Sequence, residues 1–89
     1  MKEFEYVVQD QLGIHARPAG QIARFAKEHA AEAAIKIEKV GGKTVDAARV
    51  MALMGLGAKP GDMLHITVEG VGEAAVATGL QELLTTEKL

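Results

Sequence analysis

The sequence predicts one α/β (α+β) domain with the element order βαββαβα, built as an open-faced β-sandwich. Four short segments alternate between apolar and polar residues, as strands with one buried and one solvated face do. Three other segments repeat apolar residues at the three- to four-residue spacing of amphipathic helices. Because each strand has only one apolar face, we expect the three helices on one side of a four-stranded, mostly antiparallel sheet.

The first third of the chain predicts a strand, a loop and a long helix. Lys2 to Val8 alternates, with its apolar residues on one face, and Gln9 to Ile14 is predicted to be a loop. Ala16 to Glu28 then takes the helical period. Its predicted buried stripe comprises Pro18, Ala19, Ile22, Ala23, Phe25 and Ala26.

The middle of the chain predicts a hairpin followed by a short helix. Ala33 to Val40 alternates again, and Gly41 to Gly42 has the composition of a hairpin turn. Lys43 to Asp46 is therefore predicted to be a strand antiparallel to the one before it. Ala48 to Met54 is predicted to be a helix, which the glycines that follow would end.

The last third predicts a turn, a strand and a helix. Lys59 to Asp62 has turn composition, Met63 to Glu69 alternates, and Gly70 to Gly72 turns the chain again. Glu73 to Leu84 has an apolar stripe at helical spacing. We expect Thr85 to Leu89 to fray.

The composition excludes several classes of chemistry. The chain has 89 residues, the size of a single domain over 1–89, and a formal net charge of −2. It has no cysteine and no serine, which excludes thiol nucleophiles, thiolate metal sites and serine-based triads. No basic block is present, so we expect no nucleic-acid partner. No run approaches membrane-spanning length and no signal-peptide pattern occurs, so we expect a cytoplasmic protein without membrane insertion.

Two of the three histidines are predicted to be surface residues. His29 lies near the end of the first helix, where a cation is mildly favoured, and His65 takes an outward position on a strand. Together with His15 they show no metal-ligand spacing. We therefore expect neither a metal site nor a cofactor.

A histidine, an arginine and a proline come together where the first helix is predicted to begin. His15 takes the N-cap position, Arg17 follows, and Pro18 occupies the third helical position, where its missing N–H costs little. The unpaired N–H groups of the first turn, beginning with Ala16 and Arg17, form an anion site together with the helix dipole. A neutral imidazole there predicts phosphoryl transfer through a phosphohistidine. The alternative is a histidine that only begins the helix beside a solvated arginine.

The short helix has an unusually wide apolar arc. Val50, Met51, Leu53 and Met54 spread over about 160° of its circumference, at about 100° per residue. We expect part of this arc to stay exposed as a docking patch, for which methionine is an adaptable residue. The alternative is that the whole arc packs on the sheet.

These residues resemble the HPr family, the histidine-containing phosphocarriers of the bacterial phosphoenolpyruvate-dependent sugar phosphotransferase system. Gly13 to Ala19 (GIHARPA) matches the active-centre motif of the family without a change. Gly42 to Val45 (GKTV), with the stretch through Met51, Met54 and Gly57, matches its second signature region. The resemblance covers essentially the whole chain and implies the open-faced β-sandwich with three helices.

By this resemblance, His15 would accept a phosphoryl group on Nδ1 from phospho-enzyme I and pass it to sugar-specific IIA domains, with Arg17 paired to that group. The chain would then be a phosphoryl carrier rather than a stand-alone enzyme, and we expect a monomer that needs no cofactor. The residues that fall where the family meets its partners are Arg24, Lys27, Val50, Met51 and Met54.

One departure from the family concerns a regulatory serine. In Gram-positive members a kinase phosphorylates a serine just before the short helix, and the aligned position here is Arg49. We therefore expect no serine-phosphate control and a permanent cation in the docking region.

Two other functions remain as alternatives. One is a non-carrier regulatory module on the same scaffold, although such relatives lack the histidine, and the other is an independent hydrolase, for which a second catalytic group is missing.

Overall fold

Four antiparallel strands in the order β1-β4-β2-β3 form the sheet, in a computed structural model that describes residues 1–89. The predicted element order is confirmed, and every strand pair is antiparallel. The elements are β1 (Lys2–Val7), α1 (Ala16–Glu28), β2 (Ala34–Lys39), β3 (Thr44–Asp46), α2 (Val50–Met54), β4 (Met63–Glu69) and α3 (Glu73–Thr86).

The register of the sheet places one apolar row across all four strands. Phe4 of β1 and Ile37 of β2 both lie opposite Ile66 of β4, and Ile37 also lies opposite Val45 of β3. Ile37 and Ile66 are fully buried. The neighbouring row, which points to the other face, is polar, as the pairing of Glu38 with His65 illustrates. This alternation leaves one face of the sheet open, as predicted.

The helices bury their apolar stripes in one continuous core. Ile22 of α1, Leu53 of α2 and Leu80 of α3 join the same buried cluster as Ile66. Full burial of such a side chain contributes about 1.5–3 kcal/mol. In addition, the Tyr6 hydroxyl donates a hydrogen bond to the carbonyl oxygen of Leu84, which ties β1 to α3 (2.9 Å). None of the three helices has the length and apolar stretch needed to span a bilayer.

The short helix α2 begins two residues later than predicted. The Asp46 carboxylate accepts a hydrogen bond from the N–H of Ala48 (2.9 Å), and the Asp46 carbonyl accepts one from the N–H of Arg49 (3.2 Å). These bonds hold a turn between β3 and α2, because an aspartate side chain competes with the helix for nearby backbone donors. Arg49 therefore occupies the N-cap position of α2.

The prediction that the chain frays after Leu84 is wrong. The helix α3 continues to Thr86, and Lys88 then takes a left-handed conformation (φ +54°) that turns the backbone. The N–H of Leu89 returns to the carbonyl of Leu84 (3.0 Å), and that of Lys88 to the carbonyl of Thr85 (3.3 Å). This is a Schellman cap, in which the last residue packs back on the core. Accordingly, the side chain of Leu89 is fully buried.

Candidate functional site

The loop between β1 and α1 is fixed against the segment that precedes β4. Gly13 has φ +72°, and a Cβ there would lie 2.1 Å from the carbonyl oxygen of Ala58, so only glycine fits. The N–H of the buried Ile14 donates to that same oxygen (3.1 Å). Gly13 and Ile14, the first two residues of the GIHARPA motif, therefore pack against Ala58 and place the next residue, His15, at the start of α1.

His15 is the N-cap residue of α1, but its side chain does not cap the helix. The backbone is extended there, and the imidazole accepts no hydrogen bond from the first-turn N–H groups. As a result, the N–H groups of Ala16 and Arg17 have no acceptor in the chain, while Pro18, the third helical residue as predicted, has no N–H to offer. The two free N–H groups and the helix dipole favour an anion at this point.

Asp10 joins His15 and Arg17 through the two oxygens of its carboxylate. Its Oδ1 accepts a hydrogen bond from the N–H of Leu12 (2.9 Å) and lies 3.1 Å from Nε2 of His15. Its Oδ2 accepts from the guanidinium of Arg17. The Asp10 side chain is 11% exposed, whereas those of His15 and Arg17 are 32% and 46% exposed. The carboxylate therefore lies beneath the two groups that face solvent.

The hydrogen bonds around Asp10 keep it ionised. The N–H of Leu12 contributes most, followed by the guanidinium of Arg17, and together they lower the pKa of the carboxyl from 3.8 to about 2. Sequence reasoning missed this residue, because Gln9 to Ile14 was interpreted only as a loop. An aspartate shortly before a candidate nucleophilic histidine was the available signal, since such histidines are commonly oriented by a carboxylate.

The other two histidines lie apart from this site. Nδ1 of His29 lies 3.0 Å from the carboxylate of Glu32, and Nε2 of His65 lies 2.8 Å from that of Glu3. The ring of His29 also packs against Phe25, with 4.3 Å between centroids. Both histidines therefore occupy the surface positions that the sequence predicted.

Comparison with known proteins identifies the family. Residues 2–86 match the family model described as the PTS HPr component phosphorylation site. The chain belongs to the HPr family. The phosphocarrier protein HPr of Lysinibacillus sphaericus is 35% identical over 85 residues, which are 96% of this chain and 93% of the relative. Membership of this family supports a phosphocarrier role in the phosphotransferase system.

Solved HPr structures share the fold. HPr-C-His from Thermoanaerobacter tengcongensis superposes with a TM-score of 0.86 at 30% identity, covering 97% of this chain and 93% of that structure. The HPr of Bacillus anthracis gives 0.78 at 34% identity, with 89% and 90% covered. The predicted open-faced β-sandwich with three helices is therefore confirmed.

Most of the expected docking residues lie around α2 in this chain. Met51 and Met54 are 79% and 39% exposed, whereas Leu53 between them is buried. The apolar arc of α2 is thus divided between core and surface, as expected. Lys27, Ala48, Arg49, Val50, Met51 and Ala52 line one surface groove. Arg24 lies instead on a second groove beside Leu83, and it pairs with Glu28 (3.6 Å).

Proposed function

We propose that His15 accepts a phosphoryl group on Nδ1 from phospho-enzyme I and donates it to IIA domains of sugar permeases. The observation that carries this proposal is the arrangement at the start of α1. Nε2 of His15 is engaged by Asp10, while Nδ1 has no hydrogen-bond partner. The free N–H groups of Ala16 and Arg17 are part of the same helix terminus.

Phosphoryl transfer to His15 requires the protein mainly to position the reacting groups and to stabilise the charge on the phosphoryl oxygens. The lone pair of Nδ1 forms a bond to phosphorus while the bond between phosphorus and the donor breaks. The phosphoryl oxygens then accept hydrogen bonds from the N–H groups of Ala16 and Arg17 and from the Arg17 guanidinium. Transfer of this kind depends mainly on positioning and on electrostatic stabilisation, both of which a helix N-terminus supplies.

The groove beside α2 would receive the partner proteins. Met51 supplies an exposed apolar contact, and Lys27 and Arg49 place two cations next to it. Charged rims of this kind increase the association rate with partners of opposite charge. Val50 and Met54 would extend the contact, and Arg24 would meet the partner at the edge of α1. A carrier that exchanges enzyme I for IIA domains on one such face would work as a monomer in the cytoplasm.

Intact-mass spectrometry tests the role of His15. The chain is incubated with enzyme I and phosphoenolpyruvate, and we expect a gain of one acid-labile phosphoryl group. His15→Ala should gain none, whereas His29→Ala and His65→Ala should gain one as the wild type does. A wild-type chain that takes no phosphate would favour the non-carrier regulatory module. Phosphate on His15→Ala would overturn the assignment of the residue.

A further inference from the structure

Asp10 lies outside the GIHARPA motif, yet it contacts both functional side chains of that motif. We propose that Asp10 is a positioning residue: its carboxylate holds the His15 ring with the proton on Nε2 and the Nδ1 lone pair free, and it stabilises the positive charge that the ring acquires on phosphorylation. This proposal rests on the phosphocarrier role proposed for His15.

The tautomer follows from the chemistry of the two groups. An ionised carboxylate has only acceptor sites, so the Nε2 of His15 that lies 3.1 Å from Oδ1 must be the donor. In a neutral imidazole only one nitrogen carries a proton. With that proton on Nε2, the lone pair of Nδ1 is free to attack phosphorus.

The carboxylate is held in place independently of His15. The N–H of Leu12 binds Oδ1, and the carbonyl of Asp10 accepts from the N–H of Gly13 (2.9 Å). On the other side, the N–H of Asp10 donates to the carbonyl of the buried Leu89 (3.1 Å). Because these bonds do not involve the ring, Asp10 can impose an orientation on His15 rather than follow it.

The same carboxylate faces the charge that develops during transfer. When Nδ1 attacks, the electron pair of the broken bond returns to the donor and the proton on Nε2 stays where it is. The ring of His15 therefore becomes cationic, beside the negative charge of Asp10. When the phosphoryl group leaves for an acceptor, the N–P electron pair returns to Nδ1 and the ring is neutral again. A carboxylate behind an imidazole stabilises such a cation in the same way in hydrolase triads.

The other two histidines provide an internal comparison. Their carboxylate partners, Glu3 and Glu32, have side chains that are 55% and 52% exposed, against 11% for Asp10. Ion pairs between exposed side chains contribute little, because water screens them. Moreover, His29 contacts Glu32 through Nδ1, whereas His15 contacts Asp10 through Nε2. A single NMR spectrum of the protein therefore reports on a histidine that contacts a carboxylate through Nδ1 and on one that does so through Nε2.

Nitrogen-15 NMR of the imidazole rings tests the tautomer without any partner protein. At a pH where the rings are neutral, we expect the wild type to carry the His15 proton on Nε2. Asp10→Asn keeps the shape of the side chain but removes its charge, so the His15 proton should redistribute toward Nδ1 while the signals of His29 and His65 stay in place. A wild-type His15 with its proton on Nδ1 would overturn the proposal, whether or not the variant folds.

Single-turnover transfer from phospho-enzyme I tests the consequence. We expect Asp10→Asn to accept phosphate about tenfold more slowly, by analogy with the carboxylates that orient metal-ligating histidines, whose removal costs about 10–100-fold in metal affinity or activity. Asp62→Asn is the matched control, because Asp62 also accepts a backbone N–H in a loop, from Lys59 (2.9 Å), and contacts no histidine. Equal rates for Asp10→Asn and Asp62→Asn would overturn the positioning role of Asp10 but would leave the carrier role of His15 intact. A wild type that takes no phosphate would instead overturn the carrier role itself.

Discussion

The carbonyl oxygen of Leu89 accepts a hydrogen bond from the N–H of Asp10 at 3.1 Å. It also accepts one from the N–H of Gln9 at 3.2 Å. Leu89, which lies three residues beyond the end of α3, thereby holds the loop whose Asp10 carboxylate contacts His15. The carbonyl group of Leu89 consequently connects the packing of the chain after α3 to the position of Asp10 beside His15.

We expect Leu89→Ala to lower the free energy of unfolding by about 2–5 kcal/mol, the usual cost of truncating a fully buried leucine. Urea denaturation measures this loss. Leu12→Ala is the control, since Leu12 is 75% exposed and its truncation should cost less than about 0.5 kcal/mol. Equal effects of the two changes would show that Leu89 does not pack on the core.

We expect Lys88→Gly to raise the melting temperature. Lys88 is the only non-glycine residue with a positive φ, at +54°, and that conformation costs a side-chain-bearing residue about 1–2 kcal/mol. Glycine removes this cost but gains freedom in the unfolded chain, so a net gain of about 0.5–1 kcal/mol is expected. The control is Lys43→Gly, which lacks the strain and should be neutral or destabilising. A lower melting temperature for Lys88→Gly would contradict the Schellman cap.

We expect Met51→Asp to slow phosphoryl transfer to and from partners while leaving stability nearly unchanged. The side chain is 79% exposed, so the new charge meets water in the free protein but faces apolar contacts in a complex. Transfer kinetics and thermal unfolding are measured together. Leu53→Ala, at a buried position of the same helix, should do the reverse and cost about 2–5 kcal/mol of stability. A loss of that size for Met51→Asp would place Met51 in the core.

We expect Arg49→Glu to slow transfer from phospho-enzyme I, and to slow it more at low salt than at high salt. Arg49 is exposed next to Lys27 and Met51, and attraction between surface charges acts mostly on the association rate and is screened by salt. Lys36→Glu makes the same charge change on the open face of the sheet. If both variants behave alike at every salt concentration, Arg49 acts only through net charge.

The Asp10 carboxylate predicts a specific loss of stability in acid. Its pKa in the folded chain is about 2, below the 3.8 of an unperturbed aspartate, so the folded state binds the proton less readily than the unfolded state. The stabilisation is therefore fully present above about pH 5 and disappears as the pH falls from about 4 toward 2. The free energies of unfolding of the wild type and Asp10→Asn, each measured across a series of pH values, should accordingly converge over that interval. A difference between the two free energies that stays constant with pH would contradict the depressed pKa.

Local patterns in the sequence determined the sheet, the long helices and the position of the histidine. The alternation of Leu64, Ile66 and Val68 needs only neighbouring residues to reveal a strand with one buried face, and the bounds of α1 match the prediction. GIHARPA likewise places His15 at the helix start by local rules. The start of α2 was missed by two residues, because Asp46 forms a turn whose hydrogen bonds override the helical period.

Only the tertiary structure decided what surrounds His15. Asp10 lies in a segment without apolar periodicity. Its carboxylate can act on His15 and Arg17 only because the folded backbone of the loop brings it into contact with them. Leu89 follows a predicted helix end, where short-range patterns favour fraying. Its burial depends on the apolar pocket that the rest of the fold creates and on two N–H donors from the opposite end of the chain. Contacts between residues so far apart in sequence leave no local pattern, because the free energy that selects them arises only when the core assembles.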